Sequence, residues 1–572
     1  MKKRLIFVSF FLILSFIIFS NLLNPIFVSD EIIITYGINP FDICQKNPLL
    51  WKYIKIAYII SFIISNIIIS NFLYSKIVKS IFFSNKKNIS HNENKIEKCK
   101  NNKLNLLIGI DPNSNSNVYI SERGLYQNIL VTGTIGSGKT SSAMYPFTEQ
   151  LIKYNSLNKS DKIGMLILDV KGNYYSQVKK YCKKYNLDND LLVLELNSNL
   201  TYNPLHKPNL KPQVLANRLK TILTLFSENN SESYWLDEAE KILSEAIKLC
   251  RLYNNGYVNF LEIHNLITNY NYYKEKIMNL KDMFTKAKFN NQEIYDLNTA
   301  ITFFEKEFYS LDQRTLSILK SEITRISNVF VSDYDIKKTF CPNLEDLNFY
   351  GFKEIINKGK ILVLNMNISE YRNLSKIICA YLKLDFQTEI LNNLSKNTNK
   401  KTAFICDEYS EYATKTDSEF FSLSREAKCI NIISTQSYTS LKNSLKDDSS
   451  VKVITQNLIN KIWFRTDDIF TIEEAQKQLG KEEKIKTSKS ISENAKETNF
   501  DFFTNSFNSI NSNLSESYNT YTQNDYIFDT NFFTQNLETF SALTFLSDGN
   551  KILKPTKLKM LPYFVSNSGG DK

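Results

Sequence analysis

The sequence predicts an α/β fold, in which a mostly parallel β-sheet carries helices on both faces. Short apolar runs typical of buried strands alternate with longer helical patterns along the chain. A glycine-rich loop joins one of these strands directly to a helix, and another strand ends in two adjacent carboxylates, Asp407 and Glu408. These observations predict a site for chemistry at the end of the sheet.

Two apolar stretches near the N-terminus come first. Residues 5–28 and 56–74 contain no charged side chain, and at about 1.5 Å per residue each can cross a hydrocarbon core of about 30 Å. A cleavable signal peptide is the alternative for the first stretch, but no small-residue cleavage site follows it. Residues 1–80 are therefore predicted to form a two-helix transmembrane hairpin.

The charges around these stretches predict their orientation. The connecting loop holds Asp30, Glu31 and Asp42 against few lysines, whereas many lysines follow the second stretch, from Lys76 to Lys103. The positive-inside rule then places both termini and the rest of the chain in the cytoplasm. Residues 81–103 are polar and predict a cytosolic tether.

The most specific motif follows an apolar strand at 129–132. Gly133 to Thr140 match the pattern G-x4-G-K-[ST], whose backbone N–H groups surround the β- and γ-phosphates of a nucleotide. Lys139 is predicted to contact the same oxygens, and the Thr140 hydroxyl is predicted to bind Mg2+. ATP and Mg2+ are the expected cofactors. The predicted binding residues are Gly133, Thr134, Gly136, Ser137, Gly138, Lys139, Thr140 and Ser141.

Further apolar strands extend the predicted sheet. One ends in Asp169, which either reaches the nucleotide or shapes a local turn, and another covers 191–196. The sheet resumes at 360–366. Residues 104–211 are therefore predicted to form the first part of the nucleotide-binding domain, and residues 342–572 the second part.

Residues 212–341, between these two parts, are predicted to form an inserted all-α domain. Helical patterns dominate this stretch, and strand patterns are scarce. Residues 233–253 and 313–330 each carry apolar residues at helical spacing, with charged residues opposite.

The carboxylates Asp407 and Glu408 follow a strand at 402–406 that is apolar enough to be buried. Burying charge is costly unless a partner is present, and the phosphates and Mg2+ would supply that partner. Asp407 is predicted to bind the metal, and Glu408 is predicted to orient or deprotonate the attacking water. The alternative is a pair of solvated acids at a strand end. If the two acids act at the nucleotide, this strand is predicted to lie next to the strand at 129–132.

Other polar residues are candidates for the same site. Gln436 follows an apolar strand and could contact the γ-phosphate or the water. Arg425 precedes that strand and could reach a neighbouring subunit's nucleotide as an arginine finger, although an ordinary surface role is the alternative. Arg465, after another strand, is a second candidate for the finger.

The C-terminal region changes composition. Residues 481–525 are rich in Ser, Asn, Thr and Lys, which predicts a mobile or disordered segment. A repetitive coiled arm is the alternative. Closing strands with a turn at Asp548 and Gly549 are predicted to follow.

The composition excludes some other chemistries. The chain has 8 cysteines without a CxxC pair and only 3 histidines, which argues against a Cys/His metal site. No nucleophile motif accompanies the histidines, which argues against Ser–His or Cys–His catalysis. The net charge of +11 favours nucleic acid or an anionic membrane surface as a partner.

The ordered set of motifs resembles the type IV coupling proteins, the TraG/TraD-type membrane ATPases of conjugative transfer and type IV secretion. The resemblance runs from Leu5 to about Gly480. In chain order, after the two apolar stretches, its motifs are GTIGSGKTSSAMYP, DVKGNY, YNPL, YWLDEAEKILSEAI, ICDEYSEY, STQS and NKIWFRTDD. Val170 stands where the family often has proline, and Asn173 stands where it has an acid.

This resemblance implies a RecA-like P-loop NTPase domain with an inserted all-α domain, anchored in the bacterial cell membrane. It implies a homo-hexameric ATPase that pumps single-stranded DNA, with its relaxase or another secreted protein, towards a type IV secretion channel. Arg425 would act in trans at the ring interface, and Gln436 would be the sensor of hydrolysis. The alternatives are a chromosome-pumping membrane translocase and a docking module that recruits protein cargo without acting as a motor.

Overall fold

A computed structural model of the chain describes residues 104–565, except 170, 227–232, 287–289, 367, 395–399, 495–498, 502–505 and 509–512, together with a few isolated earlier positions. The predicted transmembrane hairpin (1–80) and tether (81–103) therefore lie almost entirely outside the described residues. Within the described part of the chain, every helix is too short or too polar to span a bilayer.

Strands from both halves of the chain build one large sheet. Its members are β1 (Asn105–Ile110), β2 (Asn117–Ser121), β3 (Ile129–Thr132), β4 (Gly164–Leu168), β5 (Leu191–Leu194), β6 (Ile361–Leu364), β7 (Thr402–Cys406), β8 (Cys429–Thr435), β9 (Asn460–Trp463), β14 (Ser541–Phe545) and β15 (Thr556–Lys559). Among the described residues, these 11 strands pair in the order β2-β1-β15-β14-β9-β3-β8-β7-β4-β6-β5. All strands from β9 to β5 in that order are parallel, and the others are antiparallel.

The parallel strands are apolar on both sides because both faces of the sheet are covered. In β4, Leu166 and Leu168 belong to one core, whereas Met165 and Ile167 belong to the core on the opposite face. This explains why the strands appear in the sequence as continuous apolar runs instead of alternating ones. The predicted α/β class is therefore confirmed.

The helices account for most of the remaining chain. In order they are α1 (Glu122–Leu125), α2 (Tyr145–Leu157), α3 (Tyr174–Lys184), α4 (Pro212–Thr224), α5 (Ser233–Tyr253), α6 (Phe260–Thr268), α7 (Tyr270–Lys286), α8 (Asn291–Thr302), α9 (Gln313–Val331), α10 (Tyr334–Phe340), α11 (Phe352–Lys358), α12 (Ile368–Leu394), α13 (Asp417–Leu423), α14 (Tyr438–Leu445), α15 (Asp448–Asn457), α16 (Ile469–Leu479) and α17 (Thr530–Thr534). Helices α2 and α3 cover one face of the sheet, and α12 packs on the other.

The stretch from α4 to α10 contains helices and, among its described residues, no strand. Side-chain caps mark several helix starts: Asn290 and Glu293 form a reciprocal capping box at α8, and Asp312 accepts two backbone hydrogen bonds at α9. The apolar faces of these helices belong to the same core as Leu166 of β4. Residues 102–572 form one compact unit, so a separate domain at 212–341 stays a prediction.

The polar segment after α16 forms strands instead of an irregular loop. Strand β10 (Lys481–Asn494) pairs antiparallel with β13 (Asn513–Tyr526) along its whole length, and β11 (Asn499–Asp501) pairs with β12 (Ser506–Asn508). Cross-strand ion pairs, such as Lys486 with Asp525 at 2.6 Å, support the ribbon. In its described residues, the segment has strands where a mobile or disordered segment was predicted. Its Thr, Ile and Tyr residues favour strands although the composition is polar.

Candidate nucleotide-binding site

The glycine-rich loop lies between β3 and a helix, at the carboxyl edge of the parallel strands. A π-helical turn, Thr140–Met144, follows the loop and continues into α2. Gly138 has a φ of 101°, and a Cβ atom there would lie 2.6 Å from the ring of Phe540. Only glycine fits this position. The loop therefore has the backbone freedom and the adjacent helix start that a phosphate site requires.

Hydroxyl groups inside the loop are used to shape it. The Ser137 hydroxyl donates to the Thr134 carbonyl at 2.7 Å. The Ser141 hydroxyl donates to the Gly138 carbonyl at 3.3 Å, and the Ser141 carbonyl accepts from the Tyr563 backbone at 2.9 Å. These contacts connect the loop to itself and to the C-terminal part of the chain.

Lys139 lies within this loop and is almost fully buried. Its ammonium group donates to the backbone carbonyl of Gly133 and, at 3.2 Å, to that of Thr134. Burial lowers the pKa of Lys139, while the carboxylates of Glu408 and Asp407 act in the opposite direction. The lysine therefore sits close enough to both acids for their charges to influence its protonation.

Asp407 is buried at the end of β7 and faces the glycine-rich loop. The Thr140 hydroxyl donates to its Oδ2 at 2.8 Å, and the Ser434 hydroxyl donates to its Oδ1. A hydroxyl and a carboxylate oxygen in contact are hard ligands of the kind Mg2+ takes together with substrate phosphates and water. The described residues contain no cluster of three His, Cys, Asp or Glu side chains that could hold a metal. A Mg2+ site completed by substrate phosphates and water does not need such a cluster.

The two strands that carry this site are not neighbours, which corrects the sequence expectation. Strand β8 lies between β3 and β7, with Thr435 opposite Thr132 and Ile433 opposite Cys406. The helix start at Thr140 nevertheless reaches Asp407 across the end of β8. The intervening strand β8 contributes Ser434, whose hydroxyl also contacts Asp407.

Glu408 adopts a left-handed backbone conformation, with φ 52° and ψ 46°. Such a conformation is uncommon for a residue with a side chain and is concentrated at functional sites. Its backbone N–H donates to the Ser434 hydroxyl at 3.3 Å, and its carboxylate accepts from the Lys171 ammonium at 3.1 Å. Glu408 therefore adjoins Asp407 but its side chain has a different partner.

Asp169, for which two roles were open, takes the turn role. Its carboxylate accepts backbone hydrogen bonds from Lys171 at 3.0 Å, Asn173 at 2.9 Å and Tyr174 at 3.1 Å. Burial raises the pKa of Asp169, although these hydrogen bonds act to lower it. The carboxylate organises the loop after β4 and thereby places Lys171 opposite Glu408.

Gln436 and Arg465 lie at the same edge of the sheet as the glycine-rich loop. Gln436 directly follows β8, and the backbone carbonyl of Arg465 accepts from the Thr134 N–H at 2.9 Å, while its side chain is exposed. A cavity of about 540 Å3 adjoins Gln436. Its lining residues are Thr134, Ile135, Gln436, Ser437, Thr439, Thr466, Asp467 and Asp468. A sensor role for Gln436 stays a prediction.

Arg425 is not part of this assembly. It is exposed in the turn between α13 and β8, at the amino edge of the sheet. The length of β8, Cys429 to Thr435, separates it from the glycine-rich loop, which is about 20 Å at about 3.3 Å per residue. Any contact of Arg425 with a nucleotide must therefore involve another copy of the chain.

Two residues of the site were not predicted from the sequence. Ser434 is a polar residue near the end of an otherwise largely apolar buried strand, and that exception is a signal that was available. Lys171 carried no signal of its own, because its contact with Glu408 joins residues 237 positions apart.

Comparison with known proteins adds to this picture. Residues 401–524, which include both acids, match the family described as the TraM recognition site of TraD and TraG. The predicted resemblance to TraG/TraD coupling proteins is confirmed. No curated protein shows significant sequence similarity to the chain.

Solved structures of the coupling protein TrwB share the fold. An unbound form of bacterial conjugative coupling protein TrwBdeltaN70 aligns with a TM-score of 0.51 and 12% identity, covering 82% of this chain and 90% of TrwB. Plasmid coupling protein TrwB in complex with the non-hydrolysable GTP analogue GDPNP aligns with a TM-score of 0.50 and 13% identity, covering 77% of this chain and 87% of TrwB. At these identities the likeness concerns the fold.

Proposed function

We propose that this chain is an ATP-driven coupling protein, which recruits DNA with its bound relaxase and moves it towards a type IV secretion channel. The observation that carries the proposal is the contact between Thr140 and Asp407, at 2.8 Å. It brings a phosphate-loop hydroxyl and a strand-end carboxylate together, as nucleotide hydrolysis with Mg2+ requires. The family match over 401–524 supports the coupling role.

The residues divide the chemistry between them. Backbone N–H groups of Gly133 to Thr140 would hold the β- and γ-phosphates, and Lys139 would neutralise their charge. Mg2+, held by Thr140 and Asp407, would offset the charge that develops between these phosphates. Water then attacks the γ-phosphorus as the bond to the β-phosphate oxygen breaks, and Glu408 orients this water and accepts its proton.

The relatives support the ligand and the partners. TrwB has been seen with a GTP analogue, and the matched family is named for recognition of TraM. We extend both properties to this chain, with ATP as the nucleotide and a TraM-like protein as a contact of residues 401–524. The membrane hairpin at 1–80, cytoplasmic termini and a homo-hexameric ring belong to the same proposal.

The proposal is tested with the full-length chain and two variants. Lys139→Ala is expected to abolish ATP binding and DNA-stimulated turnover, because it removes the phosphate-binding ammonium. Glu408→Gln is expected to retain ATP binding but lose turnover, because the amide cannot accept the proton. In a mating assay with a host that expresses the cognate relaxase, both variants should fail to transfer DNA.

Two outcomes would favour different functions. If Glu408→Gln transfers DNA at the wild-type rate, hydrolysis is not required and the chain acts as a docking module that recruits cargo. If the wild-type chain pumps double-stranded DNA without a relaxase, the chromosome-pumping alternative is supported instead.

The arginine finger is a separate part of the proposal. Arg425 lies far from the nucleotide site of its own chain, so we propose that it acts on the site of a neighbouring subunit. Arg425→Ala should then lower turnover at saturating ATP without weakening ATP binding. Arg465→Ala is the matched comparison, since Arg465 lies beside the glycine-rich loop of its own chain.

A further inference from the structure

The C-terminal part of the chain is joined to the start of the helix that follows the glycine-rich loop. In the π-helical turn after the loop, the N–H of Tyr145 donates to the Thr140 carbonyl, five residues earlier. The corresponding donor for the Ser141 carbonyl would be Pro146, which has no N–H. The Tyr563 N–H donates to this carbonyl instead, at 2.9 Å. This contact fixes the backbone of Tyr563 beside Ser141.

A second segment of the C-terminal part lies against the loop itself. The Phe540 N–H donates to the Ser137 carbonyl at 3.2 Å, and the Phe540 ring fills the space where a Cβ atom on Gly138 would lie. Phe540 has a φ of 63°, a left-handed conformation that is strained for an aromatic residue and is concentrated at functional sites. Its carbonyl accepts from the Met560 N–H at 2.7 Å, which holds this strained residue in place.

Phe564 packs against the side chains of both segments. Its ring centroid lies 5.8 Å from that of Phe540 and 5.5 Å from that of Tyr563. The Tyr563 ring in turn packs edge-on against Tyr145 of α2, at 5.3 Å between centroids. Although it contacts two other rings, Phe564 is 48% exposed. An exposed aromatic ring therefore adjoins residues 138–141, where the loop becomes a helix.

The aromatic residues and Asp407 lie on opposite sides of the loop. Strand β7, which ends just before Asp407, is two places from β3 in the sheet, and β14, which begins just after Phe540, is two places from β3 in the other direction. At about 4.8 Å between strands, each lies about 10 Å from β3. Because β14 runs antiparallel to β9, Phe540 and Asp407 lie at the same edge of the sheet.

This arrangement fits the two ends of a nucleoside triphosphate. Mg2+ bridges the β- and γ-phosphates, so the proposed metal contact with Thr140 and Asp407 assigns the γ-phosphate to the β7 side of the loop. The nucleoside is attached at the α-phosphate, and would extend to the other side, towards Phe564. Every base has a π-face that stacks on aromatic side chains, which is the surface that Phe564 offers.

We propose that Phe564, supported by Phe540, is the platform on which the base of the bound nucleotide stacks. This inference rests on the proposed function, because it requires a nucleotide whose phosphates lie in the loop. Stacking does not read the hydrogen-bonding edge of a base, so the platform accepts adenine and guanine alike. Phe564 is a binding residue and takes no part in the transfer of the phosphate.

The test measures the binding of ATP and of GTP to the full-length chain by equilibrium titration with Mg2+ present. Phe564→Ala should weaken the affinity for both nucleotides about ten-fold, which is within the range for removing one aromatic–base stack. In steady-state assays, KM for ATP should rise by a similar factor. The kcat should change by less than about two-fold, because the stack is present in the ground state and in the transition state alike.

Matched variants isolate the aromatic face. Phe564→Trp retains a ring that can stack and should keep the wild-type affinity, whereas Phe564→Leu retains only an apolar side chain and should bind as weakly as Phe564→Ala. Ile552→Ala removes an exposed apolar side chain between β14 and β15, at the opposite edge of the sheet, and should have no effect. Tripolyphosphate carries phosphates without a base, so its inhibition constant against ATP turnover should be the same in the wild type and in Phe564→Ala.

The outcomes separate the platform from the proposed function. If the wild type binds neither ATP nor GTP, the proposed function is wrong, and the platform with it. Wild-type binding of both nucleotides that Phe564→Ala leaves unchanged refutes the platform alone. An equal loss of affinity for ATP and for tripolyphosphate also refutes the platform, because the substitution has then disturbed the phosphate loop and not a contact with the base.

Discussion

The buried ion pair between Lys383 of α12 and Asp417 of α13 gives a stability prediction that can be worked from the structure. Both side chains are 0% exposed, and the ammonium lies 2.6 Å from Asp417 Oδ2. Gln387 donates to Oδ1 at 2.9 Å, and the Thr414 N–H donates to Oδ2 at 2.9 Å. This cluster connects α12 to the segment that follows Glu408.

Asp417→Ala would leave the Lys383 charge buried without a counter-ion. The remaining acceptors are the Tyr412 carbonyl and the Thr414 hydroxyl, which do not neutralise it. Breaking a buried pair in this way costs about 3–5 kcal/mol. The matched control is Glu411→Ala, which breaks a partly exposed pair with Lys376 of the same helix and should cost at most about 1 kcal/mol.

Urea unfolding measures both variants. The difference in unfolding free energy follows from the shift in midpoint and the slope of the transition, with coincident probes as the check on two-state behaviour. If Asp417→Ala lies within about 1 kcal/mol of Glu411→Ala, the charge of Lys383 is compensated in some other way and the reasoning fails. Lys383→Met combined with Asp417→Leu should recover much of the loss, because neither charge then remains buried.

Three further predictions concern other residues of the sheet and the loop. Burial lowers the pKa of Lys461 to about 8, so between about pH 8 and 10.4 the unfolded chain binds more protons and wild-type stability rises with pH. Lys461→Met should remove this pH dependence and raise the free energy of unfolding by up to roughly 3 kcal/mol at pH 7. If the melting temperatures of the wild type and the variant change equally between about pH 8 and 10.4, this prediction is contradicted. Ser434→Ala should raise the Mg2+ concentration for half-maximal turnover about ten-fold, since outer partners orient metal ligands; an unchanged Mg2+ titration would exclude that role. Gly138→Ala should abolish binding of a fluorescent ATP analogue, because the added methyl meets Phe540; retained binding would show that the ring can move.

Local patterns were enough to predict the parts of the site that lie in continuous segments. The spacing from Gly133 to Thr140 predicted a phosphate loop between a strand and a helix, because such a loop depends on neighbouring backbone groups, and the structure has a strand before this loop and a helix after it. The apolar run before Asp407 predicted a buried strand, which the structure confirms. Segments rich in Ser, Thr and Asn were less informative, as the ribbon formed by β10 and β13 shows.

Contacts between distant segments could not be predicted, because they depend on the order of strands in the sheet. Strand β8 comes after β7 in the chain but inserts between β7 and β3. That order places Ser434 against Asp407, and places Arg425 at the edge opposite the glycine-rich loop. It also places the loop after β4 beside Glu408, which brings Lys171 to the carboxylate.

By itself, the sequence determined that this chain carries a glycine-rich loop with the spacing of a phosphate loop, a buried strand ending in two acids, and motifs of the TraG/TraD coupling proteins in their usual order. Each of these is a property of a short segment, encoded by glycine spacing, apolar runs and charge. Only the tertiary structure decided that the two acids have different partners. Asp407 meets Thr140, which follows β3, and Glu408 meets Lys171, which follows β4, because the folded sheet brings these distant segments to the end of β7.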